Sequence, residues 1–312
     1  MRHVRTIDWV DGAIEMIDQT RLPDELVTLR ITTVDELIAA IRRLAVRGAP
    51  ALGVAGALGV VLARGDQEAI ARLRAARPTA VNLAWAVDRV AGLPPAKALR
   101  AALRIRDDDI AACVAMGERG ADLLEGDRLR IMTVCNTGGL ACVERGTALG
   151  VVQTLHERGR LAEVLALETR PLLQGARLTT WELARMGAPH RLVVDSAGPY
   201  LLARGGVDAV LIGADRIAAN GDVANKVGSY ALALGAERAG VPFIVVAPES
   251  TVDAGTPTGE HIEIEDRGAE EVVSVRGVAT APEGTRAANP AFDVTPHDLV
   301  TAIVTESRVI RP

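Results

Sequence analysis

The sequence has 312 residues, enough for a full hydrophobic core and about two domains. Hydrophobic residues make up 49% of the chain and charged residues 24%, which is typical of a globular protein. The net charge is −5, no block of lysines and arginines stands out, and only two Phe, two Tyr and three Trp occur, so we expect no nucleic-acid partner.

Targeting and cysteine patterns narrow the class of protein further. Residues Met1–Asp8 contain no apolar signal core, and the longest uncharged run, Gly48–Ala63, is too short and too rich in glycine to span a bilayer. We therefore expect a cytoplasmic protein with no membrane partner. The three cysteines show no disulfide framework and no Cys-x-x-Cys pair, and the histidines are not clustered, so no metal site is expected.

The first part of the chain begins with a predicted hairpin and a capped helix. The turn of the hairpin is expected at Asp11 and Gly12. A helix over Thr33–Leu44 begins with a capping box, in which Thr33 is the N-cap and Glu36 follows three residues later.

More helices are predicted after this point. Gly48–Ala63 is expected to form a buried helix, in which Gly53, Gly56 and Gly59 permit close packing. Another helix is expected to start at Pro78 or Thr79. The helical passage over residues 96–125 is predicted to link two domains.

From residue 129 the pattern changes to short apolar runs that alternate with polar loops and helical segments. Each run is expected to end in polar residues and to be followed by a helix, which is typical of a doubly wound parallel sheet. No Gly-x-Gly-x-x-Gly opens a helix, so no dinucleotide cofactor is expected. The predicted strands are Arg130–Val134, Val164–Leu167, Leu192–Val194, Ala209–Ile212 and Val241–Ala247.

The tail of the chain is predicted to add two elements. The alternation in His261–Glu265 suits an edge strand. A last helix is expected to follow, with Thr295 as its N-cap and Pro296 at its first position.

The stretch Val207–Ser229 collects polar side chains where a ligand cleft is expected. Asp215 follows its apolar strand directly, and Asn225 and Lys226 are predicted to begin the next helix. Ligands of open α/β sheets bind beyond the carboxyl ends of the strands, so we expect these three side chains to face a ligand. The alternative is a solvated loop with ordinary charges.

Two arginines precede predicted helices. Arg47 comes just before the helix over Gly48–Ala63, and Arg77 comes just before the next one. Backbone N–H groups, the helix dipole and a guanidinium together suit a phosphate group. For each arginine the alternative is a position on a surface loop without a ligand.

Cys135 is the cysteine with a candidate chemical role. It ends a predicted strand, beside a glycine-rich loop and near a predicted helix N-terminus, a setting that favours the thiolate form. A buried, inert thiol is the alternative. Cys113 and Cys142 are each predicted to lie within a helix and to be inert.

Taken together, motifs along nearly the whole chain resemble the methylthioribose-1-phosphate isomerase family. Singly these motifs are moderately specific, but all of them in this order are highly specific. They are Arg47-Gly48-Ala49-Pro50, Arg77-Pro78-Thr79-Ala80-Val81-Asn82-Leu83, Cys135-Asn136-Thr137-Gly138, Glu168-Thr169-Arg170-Pro171, Gln174-Gly175-Ala176-Arg177-Leu178-Thr179, Trp181-Glu182-Leu183, Gly213-Ala214-Asp215-Arg216, Asn220-Gly221-Asp222, Asn225-Lys226, Ala247-Pro248, Ser250-Thr251 and Asn289-Pro290-Ala291-Phe292-Asp293-Val294-Thr295-Pro296.

The resemblance implies a fold, an activity and a set of site residues. It implies a small, mainly helical N-terminal domain with its linking helix at residues 1–118 and a Rossmann-like catalytic domain at residues 119–312, assembled as a homodimer. The implied reaction converts 5-methylthioribose 1-phosphate to 5-methylthioribulose 1-phosphate in methionine salvage, without cofactor or metal. Cys135 and Asp215 are implied as catalytic residues. The implied substrate ligands are Arg47, Gly48, Ala49, Arg77, Gln174, Asn225 and Lys226.

Several alternatives stay open at this point. The same chemistry could act on 5-deoxyribose 1-phosphate or on ribose 1,5-bisphosphate, although the second would need another cationic pocket, which the sequence does not make obvious. A non-catalytic regulatory subunit of the same fold is a further alternative. The sequence also departs from the usual family pattern near residues 195–199 and at Val134, Cys142 and Glu263.

Overall fold

The computed structural model describes residues 5–78 and 80–312, so the predictions made for Met1–Val4 and for Thr79 lie outside the described residues. The described strands are β1 Ile7–Val10, β2 Ala13–Ile17, β3 Thr28–Ile31, β4 Leu129–Thr133, β5 Leu161–Leu167, β6 His190–Val193, β7 Ala209–Ile212, β8 Arg216–Ala218, β9 Val223–Lys226, β10 Phe243–Val246, β11 Val252–Asp253, β12 Ser274–Val275, β13 Val278–Ala279, β14 Phe292–Thr295, β15 Ala302–Val304 and β16 Val309–Ile310. The described α-helices are α1 Val34–Arg42, α2 Ala49–Ala63, α3 Gln67–Arg74, α4 Val81–Val90, α5 Pro95–Asp122, α6 Ala148–Glu157, α7 Thr180–Met186, α8 Gly198–Ala203, α9 Ser229–Ala239 and α10 Glu270–Val273.

The N-terminal part packs a three-stranded antiparallel meander, β1–β2–β3, with α1 to α4 and the start of α5. The predicted hairpin at Asp11 is confirmed, and so is the capping box that begins α1, in which the Thr33 hydroxyl accepts from the Glu36 N–H. α2 is buried along nearly its whole length, as predicted. α4 begins at Val81 rather than at Pro78.

A seven-stranded sheet forms the centre of the C-terminal part, in the order β16–β15–β10–β7–β4–β5–β6. All neighbouring pairs are parallel except β15 with β16. Side chains of the central strands alternate between two cores: Leu211 enters the core under α5 and α6, while Val210 and Ile212 enter the core under α8 and α9. The predicted doubly wound α/β fold is therefore confirmed, and the five predicted strands are β4, β5, β6, β7 and β10.

The stretch after β7 was predicted wrongly. Asn225 and Lys226 end the strand β9 and do not begin a helix, because the turn at Asn220–Asp222 folds β9 back onto β8 in an antiparallel pair. β14 pairs with the other side of β9, and α9 begins at Ser229. The turn was recognised from the sequence, but its consequence, a hairpin that extends the cleft wall, was not.

Other local predictions were also wrong. The long helix after Cys135 begins at Ala148, and a 3₁₀ turn over Gly139–Ala141 precedes it, so Cys142 is not helical. The strand β10 leads into a 3₁₀ turn and β11, not into a helix. His261–Glu265 contains no strand, and Thr295 ends β14, after which a 3₁₀ turn stands in place of the expected helix.

The boundary at residue 118 stays a prediction. α5 runs through it without interruption. The first core draws its residues from Ile7 to Ala102 together with Val143, and the second begins at Cys113 on α5. Among the described helices, none has the length and apolar character that a bilayer crossing requires.

Two glycines of α2 should respond differently to alanine. At Gly56 an added Cβ would lie 3.0 Å from the backbone oxygen of Leu83, whereas at Gly53 the nearest atom would be 3.4 Å away. We expect Gly56→Ala to lower the free energy of unfolding by about 1–3 kcal/mol through overpacking. Gly53→Ala should be neutral or stabilising by up to about 1 kcal/mol, since alanine favours the helix. Urea unfolding measures both, and equal losses would contradict the close packing of α2 on α4.

Candidate active site

A cavity of about 1010 Å³ lies between the N-terminal part and the carboxyl ends of the central strands. All nine site residues named from the sequence line it, although they come from segments almost 180 residues apart. They are Arg47, Gly48, Ala49, Arg77, Cys135, Gln174, Asp215, Asn225 and Lys226. The roles of these residues stay predictions.

Arg47 joins the N-terminal part to the loop that follows β4. Its guanidinium donates to the side-chain oxygen and to the backbone oxygen of Asn136, both at 2.7 Å, and lies 3.6 Å from the Cys135 sulfur. The next residue, Gly48, has φ of +95°, and a Cβ there would lie 2.4 Å from the backbone oxygen of Ala141. Only glycine permits this close approach.

Cys135 lies just beyond β4 in a constrained backbone conformation. Its φ of +65° is uncommon for a residue with a side chain. Its N–H donates to the Thr169 hydroxyl at 2.8 Å, and its carbonyl accepts from the Thr179 hydroxyl at 2.6 Å. Because α6 starts 13 residues later, these two threonines, rather than the predicted helix N-terminus, orient the cysteine.

Glu182 supports the same loop and was quoted above only as part of a motif. Its carboxylate accepts from the Asn136 amide at 2.7 Å, on the side of Asn136 opposite to Arg47. Burial raises the pKa of Glu182. An acidic residue within the apolar face of α7 was a sequence signal for a buried polar network, but it did not reveal the partner.

Asp215 and Lys226 face the cavity as an acid and a base with shifted pKa values. Burial raises the pKa of Asp215, and the charges of Lys226, Arg47 and Arg77 oppose that shift. Burial also lowers the pKa of Lys226. The ammonium of Lys226 donates to the backbone oxygen of Ala291 at 2.6 Å and lies 4.5 Å from the centre of the Phe292 ring.

The remaining predicted ligands differ in how their polar atoms are engaged. Arg77 lies 3.8 Å from Glu265, and burial lowers its pKa. The Asn225 amide donates to the Ser229 hydroxyl at 2.9 Å. In the described part of the chain, the buried oxygen Oε1 of Gln174 has no hydrogen-bond partner, which leaves it able to accept from a bound hydroxyl.

The cavity holds four further arginines that the sequence analysis did not identify as ligands. Carboxylates already pair with Arg43, Arg267 and Arg276. Arg177 donates instead to backbone carbonyls, including those of Leu22 and Leu172. The same end of the cavity is apolar, with a wall made by Leu22, Pro171, Leu172, Leu173 and Leu178.

Two fallback acids are engaged elsewhere. Asp195 accepts from the N–H groups of Thr169 and Arg170, and Asp293 accepts from those of Gly228 and Tyr230. Neither is among the residues that line the cavity. Their carboxylates hold loops in place, so Asp215 is the better placed acid.

The two other cysteines are buried close together. One ligand atom from each of Asp109, Cys113 and Cys142 lies within 4.8 Å of the others, a grouping that the spacing in the sequence did not suggest. The hydrogen bond to Cys113 and burial raise the pKa of Cys142 well above its usual range, so the thiol stays protonated and inert as predicted.

Comparison with known proteins gives one consistent relationship. A sequence model described as the Initiation factor 2 subunit family matches residues 45–312. A methylthioribose-1-phosphate isomerase of Anaeromyxobacter sp. (strain Fw109-5) is 54% identical, over 96% of this chain and 91% of that protein. A 5-deoxyribose 1-phosphate isomerase of Moorella thermoacetica is 51% identical, over 99% of this chain and 95% of that protein.

A third relative is longer. The probable bifunctional methylthioribose-1-phosphate isomerase/methylthioribulose-1-phosphate dehydratase of Nocardia farcinica is 53% identical over 98% of this chain. The chain spans 59% of the length of that relative.

Two solved structures share the fold over the full chain. The 5-methylthioribose 1-phosphate isomerase of Pyrococcus horikoshii OT3 has a TM-score of 0.93 and 39% identity, covering 100% of this chain and 94% of that one. A structure described as translation initiation factor eIF-2B, subunit delta, from A. fulgidus has a TM-score of 0.88 and 41% identity, covering 99% and 96%.

Gly48→Ala should disrupt the site far more than a matched glycine change. Gly65 has a similar φ of +92°, but an added Cβ would meet nothing within 4 Å. Gly65→Ala should therefore cost only backbone strain of about 1 kcal/mol, whereas Gly48→Ala adds a clash with Ala141 and should cost at least about 2 kcal/mol more. Scanning calorimetry of the two variants measures the difference, and similar melting curves would show that the contact with Ala141 is not tight.

Proposed function

The chain belongs to the Initiation factor 2 subunit family, and we propose that it is an aldose–ketose isomerase that converts 5-methylthioribose 1-phosphate to 5-methylthioribulose 1-phosphate in methionine salvage. One observation carries the proposal: a thiol, a carboxyl group with a raised pKa and several cationic side chains share one cavity that has an apolar end. The names of close relatives agree with this reaction.

The phosphate group is held by cationic side chains. Arg47, Arg77 and Lys226 line the same side of the reaction as Asp215, whose charge they influence. Arginine forks and an ammonium neutralise a phosphate dianion in a partly buried site. Gln174 accepts from a sugar hydroxyl through its unpartnered oxygen.

The first chemical step is ring opening. In an aldose 1-phosphate the anomeric oxygen is esterified, so the ring does not open by itself. Asp215 donates a proton to the ring oxygen as the bond from that oxygen to C1 breaks. Its raised pKa keeps the carboxyl protonated at a higher pH than usual, which suits a general acid.

The second step moves a hydrogen from C2 to C1, while the C2 hydroxyl loses its proton and becomes the ketone. In a proton-transfer route, Cys135 removes the C2 proton as a thiolate and returns it to C1. In a hydride-shift route, the hydrogen moves directly with its electron pair, and Cys135 stabilises the charge at the reacting carbons. Arg47 lies 3.6 Å from its sulfur and supports either form of negative charge there.

The apolar end of the cavity favours an uncharged 5-substituent. Leu22, Leu172 and Leu178 suit a methylthio or methyl group, so 5-deoxyribose 1-phosphate is the nearest alternative substrate. The 5-phosphate of ribose 1,5-bisphosphate would have to use Arg177, because carboxylates already pair with Arg43, Arg267 and Arg276.

A regulatory subunit without activity is a weaker candidate. The A. fulgidus structure described as an initiation factor subunit gives this alternative some support. Against it stands the constrained backbone of Cys135, which costs free energy and is typical of a reactive centre.

We also propose a cytoplasmic homodimer. Five large apolar side chains near the β6 edge of the sheet are 40% to 63% exposed, which is unusual for a monomer surface. Light scattering of the purified protein measures the oligomeric state. The five are Leu192, Val194, Tyr200, Tyr230 and Leu234.

A substrate comparison tests the proposed function. We expect kcat/KM to be highest for 5-methylthioribose 1-phosphate, lower by about 10–200-fold for 5-deoxyribose 1-phosphate because a smaller group fills the apolar end less well, and lowest for ribose 1,5-bisphosphate. The assay follows ketose formation with each purified sugar phosphate. A higher kcat/KM for the bisphosphate would overturn the assignment of the 5-substituent, and no turnover of any of the three would favour the regulatory alternative.

Substitutions should separate the chemical step from binding. Asp215→Asn keeps the shape but removes the proton, so kcat should fall by roughly 10²–10⁴-fold with little change in KM. Lys226→Ala should instead mostly raise KM, because the phosphate is charged in both the ground state and the transition state. Cys135→Ser should also lower kcat, since a hydroxyl is a far weaker acid than a thiol.

The pH profile provides the control for Asp215. The acid form is needed, and its pKa is raised, so kcat of the native protein should fall as pH rises through that pKa. Asp215→Asn should lack this limb of the profile. If the variant keeps native kcat and the same limb, the general acid is another group.

A further inference from the structure

A second cavity, of about 800 Å³, lies on the far side of α2 from the catalytic cavity. α2, α4 and α5 form most of its walls, and the loop after β10 closes one end. Pro50 and Pro248 line both cavities, so a thin wall separates them. The proposed isomerase reaction uses no residue of this second cavity.

One face of α5 gives the second cavity its positive charge. Lys97, Arg100 and Arg104 follow each other at spacings of three and four residues, which places them on one side of the helix. Arg89 joins them from α4, where its guanidinium stacks 4.9 Å from the Trp85 ring. Across residues 5–78 and 80–312, no carboxylate forms an ion pair with any of these four cations.

The acidic residues of this cavity are mostly engaged elsewhere. Arg308 pairs with Glu249 at 2.9 Å, and Glu306 accepts from the backbone N–H of Glu249. Asp109 accepts from the Val143 N–H, and burial raises its pKa to about 7. Asp108 remains, one helical turn beyond Arg104. The cations of α4 and of the first half of α5 are therefore the charges left for a ligand.

A buried polar atom also faces this cavity. Asn82 is 2% exposed, and its amide nitrogen donates to the Ser250 hydroxyl at 3.2 Å. Its oxygen Oδ1 is buried and has no partner among the described protein groups. A buried acceptor without a donor costs free energy, so this atom suits an N–H or O–H group of a ligand.

We infer that the second cavity binds a phosphate monoester whose body is a flat ring with hydroxyl or amino donors, the chemistry of a nucleoside monophosphate. The phosphate binds Lys97, Arg100 and Arg89, because guanidinium forks match phosphate oxygens. The ring packs on the apolar wall of Trp85 and Leu93, and a donor group of the ligand reaches Asn82. This inference does not depend on the isomerase activity.

Calorimetric titration with cytidine 5′-monophosphate tests the inference on the full chain. Cytidine and inorganic phosphate serve as matched probes, since each has only one half of the recognised chemistry. We expect one nucleotide bound per chain and much weaker binding of both partial probes. Equal binding of cytidine, or no binding of the nucleotide at millimolar concentration, would overturn the inference.

Variants locate the binding site. Arg100→Gln and Lys97→Gln should each weaken nucleotide binding by about tenfold or more, the effect expected for loss of one charge-assisted contact. Arg42→Gln is the control, because Arg42 is exposed on α1 and lines neither cavity. Both charged positions are also exposed, so the variants should fold, and circular dichroism checks this.

The remaining outcomes are decisive as well. Lys226→Ala, in the catalytic cavity, should leave nucleotide binding unchanged. If Lys226→Ala abolishes binding while Arg100→Gln does not, the nucleotide occupies the catalytic cavity and the inference is wrong. If Arg100→Gln alters the oligomeric state and the native protein binds no nucleotide, the cations serve a contact between subunits instead.

Discussion

The hydrogen bonds from Arg47 to Asn136 are the interaction on which the site depends. They connect the helical N-terminal part with the loop beyond β4, and Gly48 brings the two backbones into contact beside them. Without this junction, the cations of the first part would not face Asp215 in the second. A site at a boundary between two cores gains side chains from both, which is where ligand cavities commonly occur.

The Asn136 side chain is held from two sides, and this determines the geometry of Cys135. Arg47 donates to its oxygen, Glu182 accepts from its nitrogen, and the backbone of Cys135 is held in turn by Thr169 and Thr179. The uncommon backbone angle of the cysteine persists because these contacts over-determine it. A fully satisfied polar network of this kind is rigid, so the thiol is presented to the cavity in one orientation.

The two cavities differ in how they treat charge. In the catalytic cavity, burial shifts the pKa values of Asp215 and Lys226 in opposite directions, and both charges act within one partly desolvated space. In the second cavity the cations lie on exposed helix faces, and only Asn82 is deeply buried. The first arrangement suits chemistry on a bound substrate, whereas the second suits reversible recognition of an anion.

The sequence by itself determined the α/β class, the five central strands, the capped helix and which residues line the catalytic cavity. Apolar runs, turn residues and caps are local signals, and the resemblance carried the site residues through the motifs around Arg47, Cys135 and Asp215. Only the tertiary structure decided that Lys226 ends a strand, that Glu182 holds Asn136, and that Cys113 lies beside Cys142. Each of these depends on which distant segments meet: β14 pairs with β9, and α7 and α5 pack beside the loop after β4. Such pairings are set by packing between distant parts of the chain, which leaves no periodic mark in the segments themselves.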